Sequence, residues 1–465
     1  MTHAPRPIRV ALISPKGPLY RRSGIFKQSL RYMPLTFPTL AALVPEELDV
    51  ELVCLDEGHA DVDPDTVEAD LVGMTVITGT ATRAYALSEA FRARGVPVVL
   101  GGPHVTLAPE DATPHADSVV VGYAEETWPE LLRDFAAGRM RSRYDQAADL
   151  SLDAVPLPDR SVLPRRHYLT SDVFEATRSC IHSCEFCVAP SAWGRKPLQK
   201  PVEMVVDDLR TAGARRAIFV DLNLIADRDY ALRLFRAITP LELQWYGLAT
   251  VRVADDPELL DVFEASGCRG LLLGLESIVP QNLKGVRKGF NRPESYEAVV
   301  GRLHQRGISV QGCFVFGMDS DTTEIVQQTA ELAIEIGIDL PRFAIATPFP
   351  GTPLYRRLAS EGRILTREWE RYDGQHVVFQ PARMSPTELE QATEAAWKHA
   401  YSWAGIAKRL RRTAAPLHVA VITNLGYRHY AKNLSRFYTC GLPALDPFDG
   451  IGPTPRSLRV LGGSA

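Results

Sequence analysis

The stretch Thr177-Arg-Ser-Cys-Ile-His-Ser-Cys-Glu-Phe-Cys187 sets Cys180, Cys184 and Cys187 in the spacing C-x3-C-x2-C. Thiolates are the ligands of iron–sulfur clusters, and a cubane has four irons to hold. Three cysteines on one short loop hold three of them and leave the fourth iron open. An open coordination position marks a metal centre that takes a ligand rather than one that staples a fold. His182 inside the loop offers the alternative of a Cys3His zinc site. Zinc sites pair two short half-sites far apart in sequence. No second half-site exists here: Cys54, Cys268, Cys313 and Cys440 stand isolated from one another.

Around this loop the chain alternates strands and helices. Apolar runs predict strands over 174–177, 217–220, 245–248, 270–275, 310–316 and 342–346. Helical patterns fill 202–212, 228–238, 257–265, 293–306 and 323–336, and Gly267, Gly307 and Gly337 stand just past three of them, as C-terminal caps do. Six parallel strands with outer helices make a partial barrel over 171–354. The cysteine loop follows its first strand, at the face where barrels carry their active sites. Polar residues at other strand ends share that mouth: Asp221 and Asn223 after the second, Glu276 and Ser277 after the fourth. Helix capping is the plainer use for such residues, and Asp321 and Thr322 fit it.

Upstream, residues 1–145 read as a second α/β unit. Strands are predicted over 8–13, 50–55, 70–76, 96–100 and 118–121, with helices over 37–47, 82–94 and 127–137. The strands lack clean alternation, which suits a parallel sheet buried on both faces. The result is a doubly wound, Rossmann-like sheet whose ligand lies at the carboxyl ends of the strands. The loops there carry Thr75 and Thr78, then Gly101-Gly-Pro-His-Val-Thr106 (with Gly102, Pro103 and His104), then Gly122-Tyr-Ala-Glu125. Small and hydroxyl residues let a backbone approach a large ligand closely.

Residues 146–170, rich in Pro, Arg and Asp, read as a linker. Residues 355–440 read as helical, with one long helix from Pro386 through Leu410. Lys408, Arg409, Arg411 and Arg412 at its end complement a helix C-terminus, or alternatively form a lip for an anionic membrane. Residues 441–465 lack periodicity and read as a mobile tail.

Composition narrows the class. A net charge of −4 over 465 residues leaves no basic footprint for nucleic acid. Seven cysteines, three of them clustered, suit a reducing cytosol better than a disulfide framework. No run of 18 apolar residues predicts a membrane span, and the N-terminal apolar run is too short for a secretory signal. A cytoplasmic enzyme is expected.

The cysteine loop, with Phe186 at the aromatic position before its last cysteine, resembles the cluster motif of the radical S-adenosylmethionine (SAM) superfamily. The loop 101–106 resembles the cobalamin-binding domain that precedes many radical SAM cores. The runs 281–291 and 361–373 are similar to one branch of these proteins, which includes hopanoid C-2 methylases and natural-product methylases. The resemblance implies a 4Fe–4S cluster on Cys180, Cys184 and Cys187, with SAM on the open iron. It puts Asp221 and Asn223 near the SAM amino group, and Glu276, with Ser277, near the ribose. It assigns Thr75, Thr78, Gly101, Gly102, Pro103, His104, Gly122 and Glu125 to cobalamin. The Asp-x-His-x-x-Gly motif is absent and His59 does not fit it, which implies a cobalamin with no histidine beneath the cobalt. The loop Gly122-Tyr-Ala-Glu125 departs from the Gly-Glu-Gly-Glu of relatives.

The activity implied is C-methylation of an unactivated carbon in a natural-product or lipid-like small molecule, through a 5′-deoxyadenosyl radical and methylcobalamin. A one-electron reductant of flavodoxin or ferredoxin type is implied as partner. Relatives on the same scaffold carry out oxidative cyclisation, ring rearrangement or dehydrogenation, which is the second reading. A tRNA methylthiotransferase would need three further upstream cysteines, and Cys54 stands there alone. A non-catalytic cobalamin carrier or sensor would not need the intact cysteine motif. Tyr246, Tyr372 and His376 fit a pocket lining or ordinary packing equally well.

Overall fold

The computed structural model describes residues 6–17, 32–147 and 149–434. The expected tail over 441–465, and Cys440, lie outside the described residues.

The first sheet contains β1 (Ile8–Ser14), β2 (Val50–Asp56), β3 (Leu71–Thr75), β4 (Val98–Gly101), β5 (Ser118–Val121) and β6 (Arg143–Asp145). All pair in parallel in the order β2-β1-β3-β4-β5-β6. The chain reverses direction across the sheet at β1, which is where a doubly wound fold opens a crevice for a ligand. Five strands were expected here; the sixth, β6, is a three-residue edge strand. Tyr144 is its buried residue, while Arg143 and Asp145 pair on the surface, so it leaves no apolar run to read. One face of the sheet packs Leu87 and Phe91. The other packs Phe37, Trp128 and Tyr144.

The segment expected as a linker is packed, over 149–170, as a strap. Leu163 and Tyr168 join the core of the first sheet. The Tyr168 hydroxyl donates to Asp56 at 2.8 Å. Arg160, buried, pairs with Asp208 of the second unit at 2.5 Å and also donates to the Val173 carbonyl. Such a pair is costly to break from one side, so the strap fixes one unit against the other.

The second sheet begins with β7 (Val173–Phe174), followed by a small antiparallel ribbon of β8 (Thr177–Arg178) and β9 (Leu198–Gln199). The single strand expected over 174–177 is broken for a clear reason. The buried Asp221 carboxylate accepts the amides of Ala176, at 3.2 Å, and Thr177, at 2.5 Å. Those amides leave the ladder and the chain turns towards the cysteine loop. The remaining strands are β10 (Arg216–Phe219), β11 (Gln244–Ala249), β12 (Cys268–Glu276), β13 (Ser309–Phe316) and β14 (Arg342–Ile345). With β7 they form six parallel strands in the order β14-β13-β12-β11-β10-β7. Burial alternates strictly along β13: one face lies under helices, and the other lines the concave side. Beneath the helices, Phe235 stacks on Trp245 at 4.3 Å in a fully buried aromatic group. Each such side chain contributes about 1.5–3 kcal/mol of burial.

The long C-terminal helix expected from 386 to 410 is two helices, Pro386–Ala400 and Trp403–Leu410. Ser402 ends the first and caps the second, its hydroxyl accepting the Gly405 amide at 3.0 Å, a local bond that competes with helix continuation. Arg409 is also not in the surface cation cluster. It is fully buried and donates to the carbonyls of Asp339 and Ala400. A third helix, Leu417–Lys432, follows. No helix among the described residues is long and apolar enough to cross a membrane.

Candidate active site between the two sheets

The cysteine loop leaves β8 through Ser179, whose φ of 70° is unusual for a residue with a side chain. The strained turn is held by the Ser179 hydroxyl donating to the Gly194 carbonyl at 2.5 Å. Further along, the Glu185 amide donates to Val286, and the Glu185 carboxylate accepts from Arg357 at 2.8 Å. The loop is therefore fixed from two sides before any metal binds. Burial pushes the Cys184 thiol up to about 11 and raises Cys187; Cys184 also feels Cys187 and Cys180, and Cys187 feels Cys180. Raised thiols of this kind favour the thiolate when a cation sits among them, and a set of three sulfur donors fits iron. Among the described residues, no three His, Cys, Asp or Glu side chains are gathered closely enough to hold a single metal ion. His182, the candidate zinc ligand, instead stacks on Phe290 at 4.4 Å. A cubane, whose thiolates each take a separate iron, fits where zinc does not. Phe186 packs behind the loop against the second core, beside Leu354 and Phe379.

Glu276 closes β12 at an irregularity in its pairing with β13, and its φ is 67°. This left-handed conformation turns the carboxylate away from the ladder to meet Lys288 at 2.5 Å. Both are largely buried. Gly274 is required below them, because a β-carbon there would run into both groups. Lys288 also lies close enough to lower the Cys184 and Cys187 thiols electrostatically. It links the carboxylate at the strand end to the cluster loop. Sequence reading missed it, although it lies within the run 281–291. Arg252 was missed as well; its guanidinium sits 5.0 Å over Phe290, beside His182.

The other strand-end residues are committed locally. Asp221 holds the β7–β8 bend, and burial pushes its carboxyl up to about 7 against the pull of its amide donors. The Asn223 side chain accepts the Ile225 amide at 3.4 Å. The Ser277 hydroxyl accepts the Val279 amide at 3.1 Å, at the start of helix Pro280–Gly285.

Between the sheets lies a cavity of about 350 Å³. From the first unit it is lined by Thr75, Gly101, Gly102, Pro103, Gly122 and Glu125. From the second it is lined by Glu175, Thr177, Arg178, Trp193, Val220 and Leu222. Gly102 has a φ of 99°, and a β-carbon there would lie 2.8 Å from the Val76 amide nitrogen, so only glycine carries the chain around this corner. Thr78 and His104 do not line the cavity. His104 is fully buried, 3.3 Å from the Thr78 hydroxyl and 3.1 Å from Asp111. Asp111 also accepts from Trp369 of the C-terminal region at 3.1 Å. Thr78 and His104 thus brace the domain contact.

The departure at Tyr123 acquires a role. Its ring stacks on Trp193 at 5.3 Å, and Arg178 lies 4.7 Å over it. Arg178 also forms a buried pair with Glu125. Sequence could register the bulk of Tyr123 but not its partners across the domain boundary. Glu125 Oε2 and Thr177 Oγ1 are buried without a hydrogen-bond partner, and both residues line the cavity. A buried polar atom without a partner is costly. The amide-fringed rim of a corrin supplies such partners, so cobalamin fits this cradle.

The B12 binding domain family matches residues 30–132, and the radical SAM superfamily matches residues 174–365. A bacteriochlorophyllide d C-12(1)-methyltransferase of Chlorobaculum tepidum is 30% identical over 414 residues, covering 87% of this chain and 90% of the relative. A hopanoid C-2 methylase of Rhodopseudomonas palustris is 27% identical, covering 75% and 70%. The radical SAM methyltransferase TsrM of Kitasatospora setae, solved with cobalamin and a [4Fe-4S] cluster bound, superposes with a TM-score of 0.68 at 19% identity, over 92% of this chain and all of that one. That last likeness concerns the fold. The sequence relatives go further: the chain belongs to the B12-binding radical SAM enzymes of methyltransferase type, whose cofactors are a 4Fe–4S cluster, SAM and cobalamin.

Proposed function

We propose that the protein methylates an unactivated carbon of an apolar, lipid-like or polycyclic small molecule. The observation that carries this reading is the shared cavity: the strand ends of both sheets open into one space. When bound, the cluster with SAM supplies a radical able to remove hydrogen from carbon, and cobalamin supplies the methyl group. The chain's own residues would do the rest. Cys180, Cys184 and Cys187 hold the cluster, and Glu276 takes the ribose hydroxyls. Arg252 and Lys288 provide positive charge for the SAM carboxylate. Gly101, Gly102 and Gly122 let the backbone approach the corrin, while Glu125 and Thr177 receive its amides.

The lining favours an apolar substrate. Val220 and Leu222 keep 37% and 42% of their surface exposed beside Trp193. Unpaired apolar surface of this kind at a cavity mouth marks a binding site for an apolar ligand. A saturated carbon offers no electron pair to a sulfonium, so ordinary methyl transfer would fail on such a substrate. Two relatives are named for a bacteriochlorophyllide and a hopanoid, and both names denote polycyclic, largely apolar molecules.

The test is a product count. Anaerobically reconstituted protein, given SAM labelled in its methyl group and a fractionated apolar extract, is expected to form labelled product. S-adenosylhomocysteine and 5′-deoxyadenosine should rise with it in equal amounts. Deoxyadenosine with an unlabelled, cyclised or dehydrogenated product would replace methylation by another radical outcome.

A further inference from the structure

We propose that the outer rim of the cysteine loop is the docking surface for an acidic electron-carrier protein, a flavodoxin or ferredoxin. The inference rests on the reading above, because a reductant is needed if the loop holds a cluster that cleaves SAM. Two segments flank the loop, 186–202 and 277–293. Neither contains an Asp or Glu, in a chain that has 56 of them, and together they carry Arg195, Lys196, Lys200, Lys284, Arg287, Lys288 and Arg292. Both segments touch the loop. Arg195 donates to the Ile181 carbonyl at 3.2 Å. Val286 accepts the Glu185 amide at 3.1 Å, and Phe290 stacks on His182.

These cations divide by their pairing. Lys200 and Lys288 are buried and bonded to Glu175 and Glu276. Arg195, Lys196, Lys284, Arg287 and Arg292 are all exposed, and among the described residues none forms an ion pair with a carboxylate. Elsewhere in the same unit, Arg228, Arg236, Arg306 and Arg357 are all matched. Arg215, Arg216, Arg233 and Arg269 of the same unit are also exposed without an ion pair among the described residues, so what singles out the rim is that neither segment flanking the cysteines holds a carboxylate. Ile181, His182 and Ser183 are half-buried, so the loop reaches the surface between the two segments.

An unpaired positive field around a redox centre raises the encounter rate of an acidic partner and orients it. Nucleic acid would meet the same charge, but the chain's net charge of −4 gives it no wider basic footprint. The docked step moves one electron: the donor is oxidised by one, the cluster is reduced by one, and no bond forms or breaks.

The experiment compares the wild-type protein with the triple variant Lys196→Glu/Lys284→Glu/Arg292→Glu and with its milder Gln counterpart. Binding of oxidised bacterial flavodoxin, and separately of a plant-type ferredoxin, is measured on metal-free protein at low and high salt. The wild type should bind at least one carrier and lose it in high salt. The Glu variant should bind about tenfold or more weakly, with the Gln variant between. With the cluster in place, reduction by flavodoxin hydroquinone should slow in the same order, while reduction by dithionite, which needs no docking, stays at the wild-type rate. Unchanged carrier binding in both variants would overturn the proposal, and so would a short RNA that displaces both carriers from the wild type. If dithionite itself fails to drive SAM cleavage in the wild type, the functional reading falls instead, and the binding arm still decides the docking surface.

Discussion

Two six-stranded parallel sheets face one cavity and present opposite chemistry to it. The first offers Thr75, Gly101, Gly102 and Gly122: backbone, hydroxyl and empty space. The second offers it Glu175 and Arg178, in contact at 2.8 Å, and carries the cysteine loop and the Glu276–Lys288 pair outside that lining. One half is built to receive a large preformed group by shape. The other is built to hold charged groups and a metal in a dry, fixed field. The same α/β topology serves both, because in each sheet the strand ends point at the ligand and only the residues placed there differ.

That contrast is open to attack from both sides. The largest effect is expected for Cys184→Ala, which should abolish iron retention and deoxyadenosine formation while cobalamin binding, followed by absorbance, remains. Loss of both cofactors would mean that the halves are not chemically separate. Next comes Lys288→Met, which leaves Glu276 buried without its partner. It should lower folding stability in denaturant titrations by about 3–5 kcal/mol. Adding Glu276→Gln should recover much of that, and strict additivity of the two changes would deny the coupling.

The third prediction concerns pH. Burial lifts the Asp221 carboxyl from its ordinary 3.8 to about 7, so the folded state favours the protonated form more than the unfolded chain does. Its contribution is full below about pH 4, declines as pH rises to about 7, and is flat above. The slope is at most about 1.4 kcal/mol per pH unit. Asp221→Asn keeps an acceptor for the Ala176 and Thr177 amides and should remove that slope; an unchanged stability–pH profile would deny the assignment.

Smaller again, Gly102→Ala should cost about 1–3 kcal/mol and weaken cobalamin binding while sparing dithionite-driven SAM cleavage. Smallest, Tyr123→Ala should cost about 0.5–1.5 kcal/mol through loss of its stack on Trp193, seen as a modest fall in melting temperature.

The sequence was most legible where a pattern is local. Apolar runs located every strand of the two large sheets except β6 to within a few residues, and the cysteine spacing named the loop that carries the chemistry. It was least legible where a side chain's partner lies far along the chain. Asp221 sits at a strand end, as a ligand-binding residue would, yet its carboxylate holds the bend before the cysteines. His104 lies in a glycine-rich ligand loop, yet it turns inward to Asp111. Lys288 gave no signal, because its meaning depends on the left-handed turn at Glu276 and on the glycine beneath it. Tyr123 read as an obstruction, and only the folded chain supplies Trp193 to stack on it.

The most direct test asks whether the two halves divide the work on SAM. Protein reconstituted with iron and sulfide, with or without hydroxocobalamin, is reduced and given SAM, and both nucleoside products are counted. The account predicts deoxyadenosine in either case, from the half that carries the cysteines, and S-adenosylhomocysteine only when cobalamin fills the other half. Homocysteine product formed without cobalamin, or no deoxyadenosine despite intact thiolates and bound iron, would contradict it.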